Sequence, residues 1–173
     1  ERHDSRNYRE HQPAAVPFIV GTAIHPINLL EYLFGPITEC TTRRLSQDPD
    51  GPDGWMIDLT FASGLPGRLD VLPTCGTASE RLVAYGLHRS LLLRYGVYNP
   101  IDYPGHIELH ENGDLLQHLE GDASLPPVVA GGFVAEYAEF ARAVITGEPT
   151  RSSFASAINS MRVAGLIEPL AAD

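Results

Sequence analysis

Apolar and polar side chains alternate along residues 55–62, and this pattern predicts a β-strand with one buried face. The apolar residues that share that face are Trp55, Ile57, Leu59 and Phe61. A turn segment, residues 64–67, follows directly, so we expect the next segment to return as an antiparallel partner. The chain is therefore expected to contain an antiparallel sheet that is packed on one face.

The dipeptide Asn112-Gly113 is a second indication of a sheet, because Asn-Gly between apolar segments is the strongest short-range signal for a β-hairpin. It predicts a hairpin between residues 106–111 and 115–119. Four other segments are predicted as strands: residues 37–45, 68–73, 79–87 and 89–95. Apolar side chains at three- and four-residue spacing predict three helices: residues 26–34, residues 133–145, and a last helix from Ser152 or Ser153 to about Leu170.

These elements predict an α+β fold, a predominantly antiparallel open β-sheet of about five to seven strands with helices on one face. The run Leu91-Leu92-Leu93 places apolar side chains on both faces of its strand, so a second covering surface is needed. We expect the face without helices to be available for oligomerisation. Another copy of the chain is the expected cover, which gives a homodimer or a larger homo-oligomer.

The acidic balance of the chain limits its partners. The formal net charge is −10 and the 12 basic residues are all arginines scattered along the sequence, so no basic face for nucleic acid or an anionic membrane can be assembled. No window approaches the ~18 apolar residues of a membrane span. Cys40 and Cys75 are too few and too far apart for a disulfide framework, which favours reduced thiols and a cytoplasmic location.

The segment from Gly21 to Pro36 places a histidine at the start of a short amphipathic helix. Pro26 suits the first helical position, where an N–H is not needed, and Gly35 followed by Pro36 ends the helix. His25 would then lie at the positive end of the helix dipole, a suitable position for a proton-transfer group. The local sequence alone is also explained by a histidine that only satisfies the helix terminus.

This segment resembles the one that opens the first helix of the C-terminal domain in the Gfo/Idh/MocA oxidoreductases. These are NAD(P)-dependent sugar and cyclitol dehydrogenases, named in part after inositol dehydrogenase. The matching residues, in the order found in the family, are His25, Ile27, Leu29, Leu30, Leu33 and Gly35. Asn28 stands where the family usually has Asp, and Gly21 stands where many members have another Asp. The end of the chain is also similar, with a helix reading Glu-Tyr-x-x-Phe-x-x-Ala, a proline and a long closing helix.

The resemblance implies that residues 18–173 form the C-terminal α+β domain and that residues 1–17 are a linker or a remnant of the first strand. Family members carry an N-terminal Rossmann domain and a catalytic lysine, whereas this chain has neither a GxGxxG unit nor any lysine. We therefore expect the Rossmann domain to be absent from this chain. NAD or NADP would be bound mainly by that domain in the parent enzyme. This chain would contain no cofactor-binding residues and would be inactive alone.

The resemblance also implies a catalytic role for His25, which would hydrogen-bond the substrate hydroxyl and assist proton removal during hydride transfer. Asn28 follows at i+3 and is a candidate for substrate binding, although a solvated helix surface explains it as well. The loop residues Tyr98, Asn99 and Tyr103 are candidates for lining a sugar or polyol pocket, or for a subunit contact.

No metal site is expected. The Asp, Pro and Gly residues of segment 47–54 are typical of turns and lack the periodic oxygen ligands of a calcium loop. His106, Glu108 and His110 share one strand face, but they lack the helical spacing of a zinc protease, and a polar outer face explains them. Two other functions remain open: a stand-alone non-catalytic binding or assembly module that retains the fold, and an unrelated α+β enzyme.

Overall fold

The computed structural model describes residues 18–45, 53–73, 75, 79–95 and 103–167. The chain divides into two compact units, one of residues 1–75 and 151–173 and the other of residues 76–150. Each unit contains one antiparallel sheet. None of the helices within these ranges has both the length and the apolar character needed to cross a membrane.

The first unit begins with a π-helical turn, Ile19–Ala23, which continues directly into helix α1, Ile24–Phe34. Pro26 is therefore the third residue of α1, and the prediction that it is the first helical residue is wrong. Proline lacks an N–H, and its ring would clash with a carbonyl of the preceding turn in an ordinary α-helix. The wider π-helical turn accommodates Pro26. Helix α1 ends at Gly35, whose φ is 87°, as the Gly-Pro pair predicted.

Three strands follow in chain order and form the sheet of the first unit: β1 (Ile37–Leu45), β2 (Gly54–Phe61) and β3 (Pro66–Val71). The predicted alternation of β2 is confirmed, because Trp55, Ile57, Leu59 and Phe61 are all buried. The turn between β2 and β3 is closed by the Phe61 N–H, which donates to the Leu65 carbonyl at 3.0 Å.

The second unit is an antiparallel sheet of four strands in chain order, β4 (Glu80–Tyr85), β5 (Arg89–Tyr95), β6 (His106–Glu111) and β7 (Asp114–Glu120). Asn112 (φ 51°) and Gly113 (φ 94°) form the two-residue turn between β6 and β7, so the predicted hairpin is confirmed. A short helix, α2 (Pro127–Ala130), precedes α3 (Phe133–Thr146), which ends at Gly147 in the left-handed conformation.

The four-stranded sheet has one apolar and one polar face. Residues directly opposite on neighbouring strands point to the same side, so the strand register shows which residues share each face. One apolar row crosses all four strands and consists of Leu82, Leu93, Ile107 and Leu119. A polar row on the other face consists of Arg81, Arg94, His106 and Glu120. The run Leu91-Leu92-Leu93 is only half-buried within the chain.

The last helix, α4 (Phe154–Ile167), returns to the first unit and packs against α1 and β1. The buried apolar side chains of these three elements are Ile27, Leu30, Ile37, Val163, Ala164 and Ile167. Full burial of one such aliphatic side chain contributes about 1.5–3 kcal/mol, so this small core holds α1 in place. Ser160 of α4 is the buried polar residue among them.

The α+β class and the antiparallel pairing are confirmed. The seven strands of the described ranges form one sheet of three and one of four strands, however, rather than a single sheet. Alternation predicts each strand and short turns predict its nearest neighbour, but neither predicts pairing across a longer connection. No hydrogen-bonded pairing of β3 with β4 occurs among the described residues.

Candidate active site

His25 is an exposed residue in the first turn of α1. The π-helical turn that precedes α1 leaves no free helix terminus at His25, so the predicted placement at the positive end of a helix dipole is wrong. The structure instead presents an accessible imidazole on a helix whose other side carries the fully buried Ile27. Such a group can accept or donate a proton to a ligand that lies against α1.

Asn28 connects this exposed side of α1 to a partly buried polar cluster. Asn28 is half-buried, and its Nδ2 donates to Ser160 Oγ of α4 at 3.1 Å. Ser160 is completely buried, and its hydroxyl donates to Glu31 Oε2 at 2.5 Å. His25 and Asn28 are neighbours at i and i+3 on the same helix, so a ligand that reaches the imidazole is also close to the Asn28 amide.

Glu31 is the centre of this cluster. We call the cluster the Glu31 network, and its members are Asn28, Glu31, Asn159, Ser160 and Arg162. Glu31 Oε1 accepts hydrogen bonds from the Ile37 N–H, at 3.0 Å, and from Asn159 Nδ2. Both carboxylate oxygens therefore accept, and their donors come from β1 and α4.

Arg162 of α4 links the network to β1. Its Nη2 donates to the Ile37 carbonyl at 2.8 Å, and its Nε donates to Asn159 Oδ1 at 3.0 Å. Ser160 is completely buried and Arg162 is exposed, so the cluster is partly buried. In its buried part, polar groups that all have partners specify one arrangement of their elements, whereas an unsatisfied group is costly. The Glu31 network therefore ties α1 to α4 and β1, and so fixes the helix that carries His25.

Sequence reasoning missed Glu31, Asn159, Ser160 and Arg162. One signal was available, because Ser160 recurs at helical spacing with the apolar Val163, Ala164 and Ile167 on the buried stripe of α4. A polar side chain on a buried stripe requires a partner.

Of the predicted loop residues, Tyr103 is half-buried and its Oη donates to the Leu125 carbonyl. Tyr98 and Asn99 lie outside the described residues. Tyr103 belongs to the second unit, whereas His25 and Asn28 belong to the first. The structure therefore brings together two of the five predicted site residues, His25 and Asn28, within one unit.

A separate cluster of titratable side chains lies on the polar face of the four-stranded sheet. Glu108 Oε2 is 3.1 Å from His110 Nε2, and Glu108 Oε1 is 3.6 Å from His118 Nδ1. The rings of His106 and His118 stack with their centroids 5.7 Å apart. The hydrogen bond from His110 holds the pKa of Glu108 below its ordinary value, and the neighbouring imidazoles act in the same direction. Over the described ranges, no group of three or more His, Cys, Asp or Glu side chains is placed to hold a metal ion.

The family model described as the oxidoreductase family, C-terminal alpha/beta domain, matches residues 5–167. No curated protein matches the chain. Among solved structures, a dehydrogenase from Chromobacterium violaceum matches with a TM-score of 0.69 and 19% identity, over 87% of this chain and 44% of that chain. UDP-N-acetylglucosamine 3-dehydrogenase GnnA from Acidithiobacillus ferrooxidans matches with a TM-score of 0.68 and 14% identity, over 90% of this chain and 48% of that chain.

A third structure is a variant of KijD10, a 3-ketoreductase from Actinomadura kijaniata, with a TM-score of 0.63 and 17% identity over 93% of this chain and 49% of that chain. The chain thus spans about half the length of the structures that it matches. At these identities the likeness concerns the fold, and the family model extends it to the sequence over most of the chain. This chain therefore belongs to the Gfo/Idh/MocA oxidoreductase family, in which it is the C-terminal alpha/beta domain.

Proposed function

We propose that this domain binds the substrate of an NAD(P)-dependent dehydrogenase that oxidises a hydroxyl-bearing carbon of a sugar or cyclitol. The observation that carries the proposal is the exposed His25 on α1, held in place by the Glu31 network, in a domain of this family. Solved relatives support the substrate class. GnnA is named a UDP-N-acetylglucosamine 3-dehydrogenase, and the KijD10 variant was solved with TDP-benzene and NADP.

The proposed dinucleotide site lies outside this chain. The sequence has no GxGxxG unit, and an oxidoreductase from Agrobacterium radiobacter that contains NAD+ is matched by this chain over 44% of its length. In the proposal, NAD or NADP is bound by a part of the parent enzyme outside this chain, and it supplies the hydride acceptor. This chain alone is then inactive.

His25 is the proposed catalytic residue. One nitrogen of its ring accepts the proton of the substrate hydroxyl as the carbon is oxidised, and it returns that proton in the reverse reaction. The exposure of His25 lets a ligand reach the ring, and the fixed helix α1 sets the direction from which the proton is taken. Asn28 is proposed to bind a neighbouring hydroxyl, and Tyr98, Asn99 and Tyr103 are proposed to line the rest of the pocket.

The test is the substitution His25→Ala in the natural full-length protein, assayed with NAD and NADP against a panel of sugars and polyols. Loss of the proton acceptor should lower kcat by about two or more orders of magnitude. His88→Ala removes another exposed histidine, in the turn between β4 and β5, and should leave kcat unchanged. Unchanged turnover in His25→Ala would reject the catalytic role.

A non-catalytic assembly module is the second candidate. It is favoured by Asn28, which stands where the family usually has Asp, by Gly21, which stands where many members have another Asp, and by the engagement of the Asn28 amide with Ser160. Titration of the full-length protein with NAD(H) and NADP(H) separates the two candidates. Binding supports the dehydrogenase, whereas no binding of either cofactor supports the module.

A further inference from the structure

The hydroxyl of Ser160 lies between two polar side chains of α1 and has one proton to give. It is 2.5 Å from Glu31 Oε2 and 3.1 Å from Asn28 Nδ2. Ser160 is completely buried, so water does not supply an alternative partner. The direction of each of these two hydrogen bonds therefore decides the direction of the other.

Glu31 sets that direction. Its Oε2 accepts from the Ser160 hydroxyl, and its Oε1 accepts from the Ile37 N–H and from Asn159 Nδ2, so both oxygens act as acceptors. Ser160 must then donate to Glu31 and can only accept from Asn28. A side-chain amide can meet this requirement only by turning its NH2 group toward Ser160.

The Asn28 carbonyl oxygen is consequently left for a partner outside the network. Asn28 is half-buried rather than sealed inside the unit, so its side chain is open to a partner outside the network. His25 precedes Asn28 by one turn of α1 and is exposed.

We infer that Ser160 and Glu31 are positioning residues that lock the Asn28 amide with its oxygen available beside His25, so that this position accepts a hydrogen bond from the ligand. The inference rests on the proposed function, since it assigns the chemistry of the same site. A ligand group that donates, such as a second hydroxyl next to the reacting one, is selected. A carbonyl or phosphate oxygen at that position is disfavoured, because two acceptors would face each other.

The substitution Glu31→Gln reverses the direction of the hydrogen bonds at Ser160, and glutamine has nearly the same shape as glutamate. The introduced side-chain amide keeps its oxygen for the Ile37 and Asn159 donors and offers its NH2 group to Ser160. Ser160 must then donate to Asn28, whose amide turns over and offers its NH2 group to the ligand. The Asn28 position thereby changes from an acceptor to a donor.

The substitution Asn28→Asp tests the same polarity through stability. In the presence of Glu31 the introduced carboxylate cannot donate to Ser160, so one hydroxyl faces two acceptors. In the double variant Asn28→Asp with Glu31→Gln, the introduced amide donates to Ser160 and Ser160 donates to the introduced carboxylate, so every member again has a partner. Glu31→Gln is therefore expected to rescue the stability that Asn28→Asp loses.

The experiment measures thermal unfolding of the natural full-length protein. Asn28→Asp should lower the Tm of the transition by roughly 4–8 °C, and adding Glu31→Gln should recover most of that loss. Glu39→Gln removes an exposed carboxylate of the same unit and should give no rescue. In a Ser160→Ala background, which removes the link, the rescue should disappear. Additive effects of Asn28→Asp and Glu31→Gln would overturn the inference.

Kinetics separate this inference from the proposed function. If both hold, Glu31→Gln raises KM for the hydroxyl substrate about tenfold while kcat falls much less than in His25→Ala. An unchanged KM would overturn the positioning role even if the stability rescue occurs. If the stability rescue occurs but turnover does not depend on His25, the proposed function is rejected and the network contributes to folding alone. Additive stability effects with His25-dependent turnover would reject the inference alone.

Discussion

Tyr95, the last residue of β5, shows how one half-buried side chain makes stability depend on pH. Burial, and then the charge of Glu80, raises the pKa of Tyr95 to about 12. Glu80 is its direct partner in the register of β4 and β5. In the unfolded chain the phenol ionises at its ordinary pKa of about 10. The stabilisation by the neutral phenol is therefore complete below the unfolded pKa and is lost as the pH rises through the folded pKa.

We therefore expect Tyr95→Phe to resist alkaline unfolding better than the wild type. Phenylalanine cannot ionise, so the variant keeps the contribution that the wild type loses between the two pKa values. Urea unfolding at a series of alkaline pH values measures the difference. Tyr137→Phe is the matched control, because Tyr137 is 74% exposed and should have no effect. A parallel alkaline loss in wild type and Tyr95→Phe would contradict this account.

The Glu31 network marks the limit of residue-scale prediction from this sequence. Asn159 and Ser160 lie 128 and 129 positions from Glu31. Local periodicity predicted the helices on which they lie, but only the packing of α4 on α1 brings their polar atoms together. Asn28 was proposed as a substrate-binding candidate from its spacing to His25. Its partner Ser160 could not be predicted, because spacing within one helix does not show which residues of a second helix pack against it.

At the scale of elements, the same substitution is expected to have opposite effects at two glycines. Gly113 in the β6–β7 turn has a φ of 94°, and Gly165 lies inside α4 without a positive φ. An added Cβ meets nothing within 4 Å at either position, so steric contact does not distinguish them. Gly113→Ala should lower the free energy of unfolding by about 1–2 kcal/mol. Gly165→Ala should raise it by roughly 0.5–1 kcal/mol.

Urea unfolding of both variants beside the wild type measures this pair, and each variant is the control for the other. The β6–β7 turn requires positive φ at both central residues, which is the reason that Asn-Gly occurs there. A gain of stability in Gly113→Ala, or a loss in Gly165→Ala, would mean that the turn or the helix differs from the structure.

Elements with a strong local signal were predicted well, and their connections less so. The alternation of β2 and the Asn-Gly turn depend on neighbouring residues, and both are confirmed. The π-helical turn before Pro26 was not predicted, because a proline after a short apolar segment has the same pattern at a true helix start. The division of the strands into two sheets depends on pairing between distant segments, on which alternation is silent.

At the scale of the whole molecule, the apolar face of the four-stranded sheet is a candidate interaction surface, because some of its described side chains are exposed. Its row across the four strands includes Ile107 and Leu119, which are 37% and 52% exposed. Contiguous exposed apolar surface of this kind marks interaction sites in proteins of known assembly. A face that pairs with itself about a two-fold axis meets the same row of leucine and isoleucine side chains. We propose this face as the homodimer contact.

The corresponding prediction is that the natural full-length protein is a dimer and that Ile107→Lys shifts it to monomer. The lysine places an unpaired charge in the centre of the apolar row, where association would have to desolvate it. Val83→Lys is the matched control, because Val83 lies on the opposite face of the sheet and is 43% exposed. Sedimentation equilibrium over a range of concentrations measures the dissociation. Dissociation by Val83→Lys but not by Ile107→Lys would move the contact to the polar face, where it would cover the Glu108 cluster.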